Sequence, residues 1–203
     1  MNLTGMYESA LDELMTRIHG VLVMVSNGHR GAGAGVLAGD GLVLTNNHVA
    51  GNGHALQVTL DDGGSYPAKV LKRKADADLA LLQITDHSHP AAIFSTGDPR
   101  PGEMVFAYGH PWGQRNVLTG GVLSAVTTAR TRSGELPILR SDVQLAPGNS
   151  GGPLLNAAGE VLGLNAMIFG GDQSVAIPSS VIREFLAEAR ENVSHPTTAE
   201  DVI

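Results

Sequence analysis

The first segment of the chain has the one-sided spacing of apolar residues that predicts an amphipathic helix. Between residues 3 and 19 the apolar side chains are those of Met6, Tyr7, Ala10, Leu11, Leu14, Met15 and Ile18. Gly20 follows as a suitable helix stop. A helix of this kind most often packs on its own domain, although it can also serve oligomerisation or regulation.

Short apolar segments separated by turn residues replace the helical pattern from Val21 onward. The segments are VLVMVS, AGVLAG, LVLTN, ALQVTL, AKVLKR and LALLQI, then EMVFAYG, NVLTGGVLSAV, LPILRSDV, GPLLN, EVLGLNAMIF and SVAIP. Glycine-containing turns such as Asp40-Gly41, Asp62-Gly63-Gly64 and Ala158-Gly159 separate neighbouring segments and favour hairpins. Two runs of about six strands predict an all-β fold of two six-stranded antiparallel barrels, or a pair of packed β-domains.

The segments between and after these two runs complete the predicted organisation. Residues 85–101 are rich in proline and polar side chains and resemble a linker. Pro178-Ser179-Ser180 opens a second amphipathic helix, which is followed by a tail with little to bury. The predicted division is an N-terminal helix (1–20), a first barrel (21–95), a second barrel (96–178) and a C-terminal helix with its tail (179–203).

Composition excludes several classes of function. The 203 residues include 26 glycines, which favours many tight turns over a helix bundle, and no cysteine, which excludes disulfides, thiol catalysis and thiolate metal sites. Thirteen basic and 20 acidic side chains give a net charge of −7, the wrong sign for nucleic-acid binding. No apolar run approaches the roughly 18 residues of a membrane span. The first residues lack the pattern of an export signal, so we expect a cytoplasmic chain without membrane insertion.

The segment from Pro147 to Pro153, PGNSGGP, is the most informative in the chain. A serine hydroxyl is a weak nucleophile that needs a base and donors for the oxyanion that forms. Glycines around Ser150 let the backbone turn sharply, so that the N–H groups of Gly148 and Ser150 can converge as those donors. The segment also fits the G-x-S-x-G elbow of α/β-hydrolases, but that fold requires a helix after the serine and a later histidine. Only His195, in the tail, follows, so this alternative fails.

Two upstream residues complete a catalytic set. His48 follows the strand LVLT at the start of a polar turn, and Asp78 precedes the apolar strand LALLQI. Either residue alone has an ordinary explanation, as a turn histidine or an exposed loop acid. Together with Ser150 they follow the order His, Asp, Ser, which is the order of chymotrypsin-type proteases.

With this set the chain resembles a trypsin-like serine protease of the chymotrypsin superfamily, and more closely the protease domain of the HtrA/Deg family. The motifs are TNNHVA (45–50), DLALLQI (78–84), GHPWG with LTGGVLSAV (109–126), SDVQLAPGNSGGPLLN (141–156) and EVLGLNA with VAIPSS (160–180). The resemblance implies two barrels with the site in the cleft between them. It implies that His48 is the general base and acid, Asp78 orients it, Ser150 attacks the scissile carbonyl, and Gly148 and Ser150 supply the oxyanion hole.

The resemblance also implies a substrate-binding region. Leu145 would lie on the loop that forms the pocket for the side chain before the cut, and Ile168 and Ser174 would lie on the rest of its wall. The segment Leu164, Asn165 and Ala166 would pair with the substrate backbone. A pocket with Leu145 and Ile168, and with Gln144 where trypsin-type enzymes keep an acid, predicts a preference for small or medium aliphatic side chains.

Some features depart from the resembled families. Asn149 replaces the aspartate that pairs with a newly cut N-terminus in digestive proteases, so we expect no activation by clipping. HtrA/Deg enzymes usually carry PDZ domains after the protease, and we expect none attached here. A homotrimer through the N-terminal segment, or capture of Val202-Ile203 by a PDZ partner, is the predicted interaction, with a frayed C-terminus as the ordinary alternative.

The predicted function is a serine endopeptidase that cleaves unfolded or extended polypeptide segments through an acyl-enzyme. The alternative is a peptide-binding or chaperone-like module on the same fold. The histidines at 54, 87 and 89 do not suggest a metal site with its supporting ligands, so no cofactor or metal is predicted.

Overall fold

The computed structural model describes residues 3–28, 32–85, 89–166 and 174–194, which form three α-helices and thirteen β-strands. The helices are α1 (Leu3–Ile18), α2 (Asn47–Ala50) and α3 (Ser179–Ser194). The strands are β1 (Leu22–Ser26), β2 (Ala32–Gly39), β3 (Leu42–Asn46), β4 (Gln57–Thr59), β5 (Ser65–Pro67), β6 (Lys69–Lys74), β7 (Leu79–Gln83), β8 (Met104–Gly109), β9 (Val117–Arg130), β10 (Glu135–Ser141), β11 (Pro153–Asn156), β12 (Val161–Asn165) and β13 (Ser174–Pro178). The sequence-predicted Ile168, His87, His195 and Val202-Ile203 lie outside the described residues.

The first half of the molecule is an antiparallel sheet in the order β5-β4-β1-β2-β3-β7-β6. Its two outer strands, β5 and β6, are separated in the chain by Ala68 alone, so the backbone itself joins the two edges. The bend falls at Pro67, which has no N–H to donate to a ladder, and the Ala68 N–H turns to the Leu56 carbonyl at 3.0 Å. The predicted segment AKVLKR (68–73) thus corresponds to β6, and the short strand β5 before the corner was not predicted.

The second half is a closed barrel in the order β10-β13-β12-β11-β8-β9. Its longest strand, β9, runs from Val117 to Arg130, four residues beyond the predicted end at Val126. Pairing with β10 explains the extension, because Glu135 faces Arg130 at the start of an antiparallel register that runs unbroken as far as Arg140. The closed barrel and the curved half-barrel beside it confirm the predicted chymotrypsin-like double-barrel fold.

The core consists of one apolar cluster within each half and a third that both halves share. Residues such as Val58 and Leu82 fill the first half, and residues such as Leu123 and Leu139 fill the second. The shared cluster joins α1, α3, β2, β3 and β7 to β8 and β10–β13, with Phe185 of α3 fully buried in it. The two halves are therefore packed into one body.

The segment between the halves makes specific backbone contacts rather than forming a free linker. The Ala92 N–H donates to the Leu37 carbonyl of β2 at 2.8 Å, and the Val161 N–H of β12 donates to the Ile93 carbonyl at 2.7 Å. The connection is therefore bonded to both halves. None of the helices in the described ranges is long and apolar enough to cross a membrane.

The N-terminal helix packs on its own domain, in agreement with the more common of the two predicted roles. Leu14 and Ile18 of α1 are buried in the shared cluster, whereas Met6 is 55% exposed. Arg17 donates from Nη1 to the Ala158 carbonyl in the β11–β12 turn at 3.1 Å. The helix thus packs on the shared cluster and against the β11–β12 turn of the second half.

Candidate active site

A histidine–aspartate pair lies at the end of two neighbouring strands. Strand β3 pairs with β7 so that Asn46 faces Leu79, and the next residues in each direction, in α2 and before β7, therefore lie side by side. His48 Nδ1 is 2.7 Å from Asp78 Oδ2, and the His48 backbone N–H donates to Asp78 Oδ1 at 3.0 Å. One carboxylate thus contacts both the ring and the backbone of the same residue.

The geometry of this pair fixes the tautomer of the imidazole. A carboxylate accepts hydrogen bonds, so His48 Nδ1 carries the proton and Nε2 keeps its lone pair free for another proton. Asp78 is 5% exposed, which protects the contact from water. The His48 side chain is 35% exposed and so remains accessible from the cleft.

The backbone around Asp78 is fixed by neighbouring amides. Asp78 follows a 3₁₀ turn (Ala75–Ala77) and has left-handed dihedral angles, φ 53° and ψ 40°, which aspartate tolerates better than most residues. Its carbonyl accepts the Asn47 N–H and the Asn46 Nδ2, each at 3.0 Å. Arg73 donates from Nη1 to Asn47 Oδ1 at 2.7 Å. These contacts hold the two turns together.

The loop that carries Ser150 is bonded to the first half of the molecule. The Ala34 N–H of β2 donates to the Ser150 carbonyl at 2.8 Å, and Thr45 Oγ1 of β3 donates to the Ala34 carbonyl at 2.7 Å. Gly151 has φ +85°, and a Cβ there would overlap the Ala34 carbonyl oxygen. Only glycine allows this close approach of the two halves.

A second glycine brings the histidine and the serine to the same place. A Cβ on Gly33 would lie 2.7 Å from the methyl carbons of Val49, the residue after His48, and 3.0 Å from the Ser150 carbonyl oxygen. The backbone of Ser150 and the helix that bears His48 therefore flank the same point on β2. The segment that bears His48 and the loop of Ser150 therefore lie beside each other where the two halves meet.

The peptide groups before Ser150 leave two N–H groups without an acceptor. The Pro147 carbonyl accepts the Trp112 N–H at 2.8 Å, and the Asn149 carbonyl accepts the Gly152 N–H at 3.0 Å. In a trans peptide the N–H points away from the carbonyl, so those of Gly148 and Ser150 point away from these partners. Within the described ranges, neither N–H finds an acceptor. They are available to an anionic oxygen.

The loop from His110 to Asn116 lies directly beneath Gly148, and its role was not foreseen from the sequence. Gly148 has φ +107°, and a Cβ there would overlap the His110 carbonyl oxygen. The motif GHPWG that contains this loop was visible, but its contact with Gly148 depends on the fold.

The electrostatic environment of this loop shifts two pKa values. Burial lowers the pKa of His110 below its ordinary value; Arg115 adds to this effect, whereas the Val23 carbonyl and Asp61 oppose it. Burial, with a further contribution from Asp61, raises the pKa of Tyr108. Both side chains therefore favour their uncharged forms at neutral pH.

Two of the predicted substrate-binding residues lie on or next to the loop that follows β10, and a third lies at the end of β12. Leu145 is partly buried against the core of the second barrel, and Ser174 Oγ donates to the Val143 carbonyl on the same loop. Ala166 is buried at the end of β12, with its N–H bonded to the Val175 carbonyl at 2.8 Å. Ile168 lies outside the described residues.

The expected substrate strand needs a correction at Leu164 and Asn165. Strand β12 is paired on both sides, with β11 and with β13. The Asn165 N–H donates to the Gly152 carbonyl at 2.8 Å, and its carbonyl accepts the Gly151 N–H at 2.9 Å. Leu164 is fully buried. These two residues therefore support the serine loop from behind, and neither has a free backbone edge for a substrate.

Two features bear on the chemistry that the cleft can support. The described residues contain no group of three His, Cys, Asp or Glu side chains that could hold a metal ion. The cleft holds a histidine, a carboxylate that orients it, a serine hydroxyl and two N–H groups without an acceptor in the described ranges, a set suited to acyl transfer.

The family model and the curated proteins that this chain resembles are those of serine peptidases. A family model described as a trypsin-like peptidase domain matches residues 33–164, a range that includes His48, Asp78 and Ser150. Serine protease HTRA1B of Danio rerio is 38% identical over 172 residues, which cover 81% of this chain and 36% of that protein.

Two further relatives give a similar result. Serine protease HTRA1 of Xenopus tropicalis is 38% identical over 165 residues, covering 78% of this chain and 36% of the relative. A probable periplasmic serine endoprotease DegP-like of Marinomonas sp. (strain MWYL1) is 40% identical over 152 residues, which cover 72% of this chain and 32% of that protein. The chain spans about a third of the length of these relatives. From its fold, its cleft and these similarities, the chain belongs to the trypsin-like peptidase family.

Proposed function

We propose that this chain is a serine endopeptidase unit that cleaves extended or unfolded polypeptide segments through an acyl-enzyme. The observation that carries the proposal is the double contact between Asp78 and His48, 2.7 Å and 3.0 Å long, beside the glycine-rich loop of Ser150. Such a contact orients an imidazole as a base toward a nucleophile.

The proposed reaction begins with attack of Ser150 Oγ on the carbonyl carbon of the scissile peptide bond. His48 Nε2 takes the serine proton as the new C–O bond forms, and Asp78 stabilises the resulting imidazolium. The carbonyl π electrons move to the oxygen, which becomes an oxyanion facing the N–H groups of Gly148 and Ser150. Loss of a single oxyanion-hole donor from a serine protease lowers kcat by about 10²–10³-fold.

The second half of the reaction reverses these roles. The tetrahedral intermediate collapses, the C–N bond breaks, and His48 gives its proton to the leaving amine. Water then attacks the ester carbon of the acyl-enzyme, with His48 accepting a proton from the water. Collapse of this second intermediate breaks the ester bond, returns the proton to Ser150 and releases the new carboxylic acid.

The preference proposed for the residue before the cut is a small or medium aliphatic side chain. Leu145 lies partly buried against the second barrel, and the loop that carries it is tied to β13 through Ser174. The uncharged Gln144 next to it offers no partner for a basic side chain. A cleavage-site profile on a denatured proteome is the direct measure of this preference.

A labelling experiment tests the proposed function. The folded chain should react with a fluorophosphonate probe and cleave casein, and Ser150→Ala should do neither. Ser124→Ala is the matched control, since it removes an exposed hydroxyl from β9 of the same half of the molecule, away from the cleft, and it should still be labelled. A folded chain that neither reacts nor cleaves would favour the alternative of a peptide-binding module.

A further inference from the structure

The loop from His110 to Asn116 contacts the oxyanion loop through three backbone groups. The His110 N–H donates to the Gly148 carbonyl at 3.3 Å, and the Trp112 N–H donates to the Pro147 carbonyl at 2.8 Å. The His110 carbonyl lies where a side chain on Gly148 would otherwise stand. These contacts set the orientation of both peptide groups that flank Gly148.

The opposite end of the same loop is bonded to the first half of the molecule. Arg115 donates from Nη2 to the Leu60 carbonyl at 2.6 Å, and Asn116 Nδ2 donates to Asp61 Oδ1. The loop therefore bridges the hairpin between β4 and β5 and the peptide groups before Ser150. It is a direct connection between the half that carries His48 and the loop of Ser150.

The His110 side chain closes this loop on itself. His110 is 2% exposed, and its Nδ1 accepts the Asn116 N–H at 3.2 Å. Asn116 has a left-handed φ of 60°, so the loop turns sharply where this bond is made. Because Nδ1 accepts, the proton of the neutral ring is on Nε2, which is buried. In the described part of the chain no acceptor forms a full hydrogen bond with Nε2, and the weaker interaction of the ring with the Val23 carbonyl only partly opposes the effect of burial.

We propose that His110 is a positioning residue for the oxyanion hole: its neutral imidazole closes the loop 110–116 and thereby holds the Gly148 peptide in the orientation that stabilises the oxyanion. This inference rests on the proposed function. It assigns no contact between His110 and the substrate, since the ring is buried and the loop backbone transmits its effect.

The neutral ring is essential to this role. A protonated imidazole carries hydrogens on both nitrogens, so Nδ1–H would face the Asn116 N–H and the bond that closes the loop would be lost. The charged and titratable groups around the ring are Arg115 on the loop, Asp61 on the β4–β5 hairpin and Tyr108 on β8. His19, after α1, lies 3.5 Å from Asp61 Oδ2, whereas Asn116 contacts Oδ1 of that carboxylate.

Burial, with a smaller contribution from Arg115, lowers the pKa of His110 below its ordinary value, and it outweighs the opposing effects of the Val23 carbonyl and Asp61. The loop is therefore closed at neutral pH and should open only on acidification. The sign follows from the direction of the shift, since a lowered pKa means that the native loop disfavours the charged ring.

The first test compares two substitutions at position 110. His110→Asn keeps an acceptor, because Oδ1 of asparagine is bonded to Cγ just as Nδ1 of histidine is, whereas His110→Leu removes it. We expect kcat of His110→Leu to fall by about 10²-fold, as for loss of an oxyanion donor, with KM little changed. His110→Asn should recover most of this loss. Binding of a peptidyl boronate, which mimics the tetrahedral state, should weaken in parallel with kcat.

The second test follows the loop without any catalysis. Trp112 is the single tryptophan of the chain and is 76% exposed on this loop, so its fluorescence reports the loop directly. In a His48→Ala background, the Trp112 signal should change on acidification with a midpoint below 6.5. The His110→Asn change should abolish this transition, whereas His19→Asn and the exposed His54→Asn should keep it.

The outcomes separate this inference from the proposed function. If the wild-type chain turns over peptides and His110→Leu, folded by circular dichroism, matches its kcat, the positioning role is wrong while the peptidase stands. A Trp112 titration that persists in His110→Asn also overturns it, even where His110→Leu fails to fold. A wild-type chain that never reacts at Ser150 overturns the proposed function itself.

Discussion

At two positions in the cleft the backbone conformation, as well as the side-chain chemistry, restricts which residue type can be present. Asp78 combines a left-handed backbone with a carboxylate that contacts both the ring and the N–H of His48. Gly151 likewise combines a positive φ with a contact too close for any side chain. Strained conformations of this kind concentrate at functional sites, where surrounding contacts hold them in place.

The carboxylate of Asp78 should be essential for rate. In Asp78→Asn the amide can donate to Nδ1 and favour the wrong tautomer, so we expect kcat to fall by about 10⁴-fold. Steady-state kinetics with a peptide substrate measures the change. Asp76→Asn, on the exposed face of the same 3₁₀ turn, is the control and should leave kcat unchanged. Equal effects of the two substitutions would contradict the orienting role.

Helix α3 supports the site from a distance, because it packs on the shared apolar cluster and on strand β6. The C-terminal helix α3 inserts Phe185 into the cluster that both halves share, and Lys72 of β6 lies 5.2 Å from the centre of its ring. Lys72 also contacts Glu188 of α3 at 2.6 Å. Since β6 pairs with β7, which begins next to Asp78, the helix supports the strand that leads to the carboxylate.

Truncation of Phe185 should destabilise the whole protein. We expect Phe185→Ala to lower the free energy of unfolding by about 3–5 kcal/mol, because a fully buried aromatic ring is removed and a cavity remains. Urea unfolding measures the loss. Glu184→Ala, on the exposed face of the same helix, should change it by less than about 0.5 kcal/mol. Similar losses for both variants would show that the helix contributes little to the core.

The proposed active site lies where the two halves of the molecule meet. The first half supplies His48 and Asp78, the second supplies Ser150, and glycines at 33 and 151 permit their close approach. The shared apolar cluster draws on strands of both halves and on two helices. A cluster of this extent makes independent unfolding of either half unfavourable, because each would expose the surface that it shares with the other.

Thermal unfolding should therefore be a single cooperative event. We expect one calorimetric transition whose van't Hoff enthalpy equals the calorimetric one. Leu82→Ala in the first half and Leu139→Ala in the second should each lower the temperature of that same transition. Two separable transitions, each moved by one of these substitutions, would contradict the inference that the halves fold as one body.

The cleft was predictable from the sequence to the extent that local patterns specify it. His48 and Asp78 each stand at the end of an apolar strand, and Ser150 stands among glycines, so their positions at strand ends and in a tight loop follow from the chain. The contact between Asp78 and His48 was inferred from their order. The occupied backbone of Asn165 could not be foreseen, since it depends on which strands become neighbours.

By itself the sequence determined the two helices, most of the strands, and the residue types that acyl transfer requires, because periodicity and turn chemistry are properties of neighbouring residues. Only the tertiary structure decided the corner at Pro67, the bonded connection near Ala92 and the buried ring of His110 beneath Gly148. These features arise from hydrogen bonds and packing between segments far apart in the chain, which a local pattern does not record.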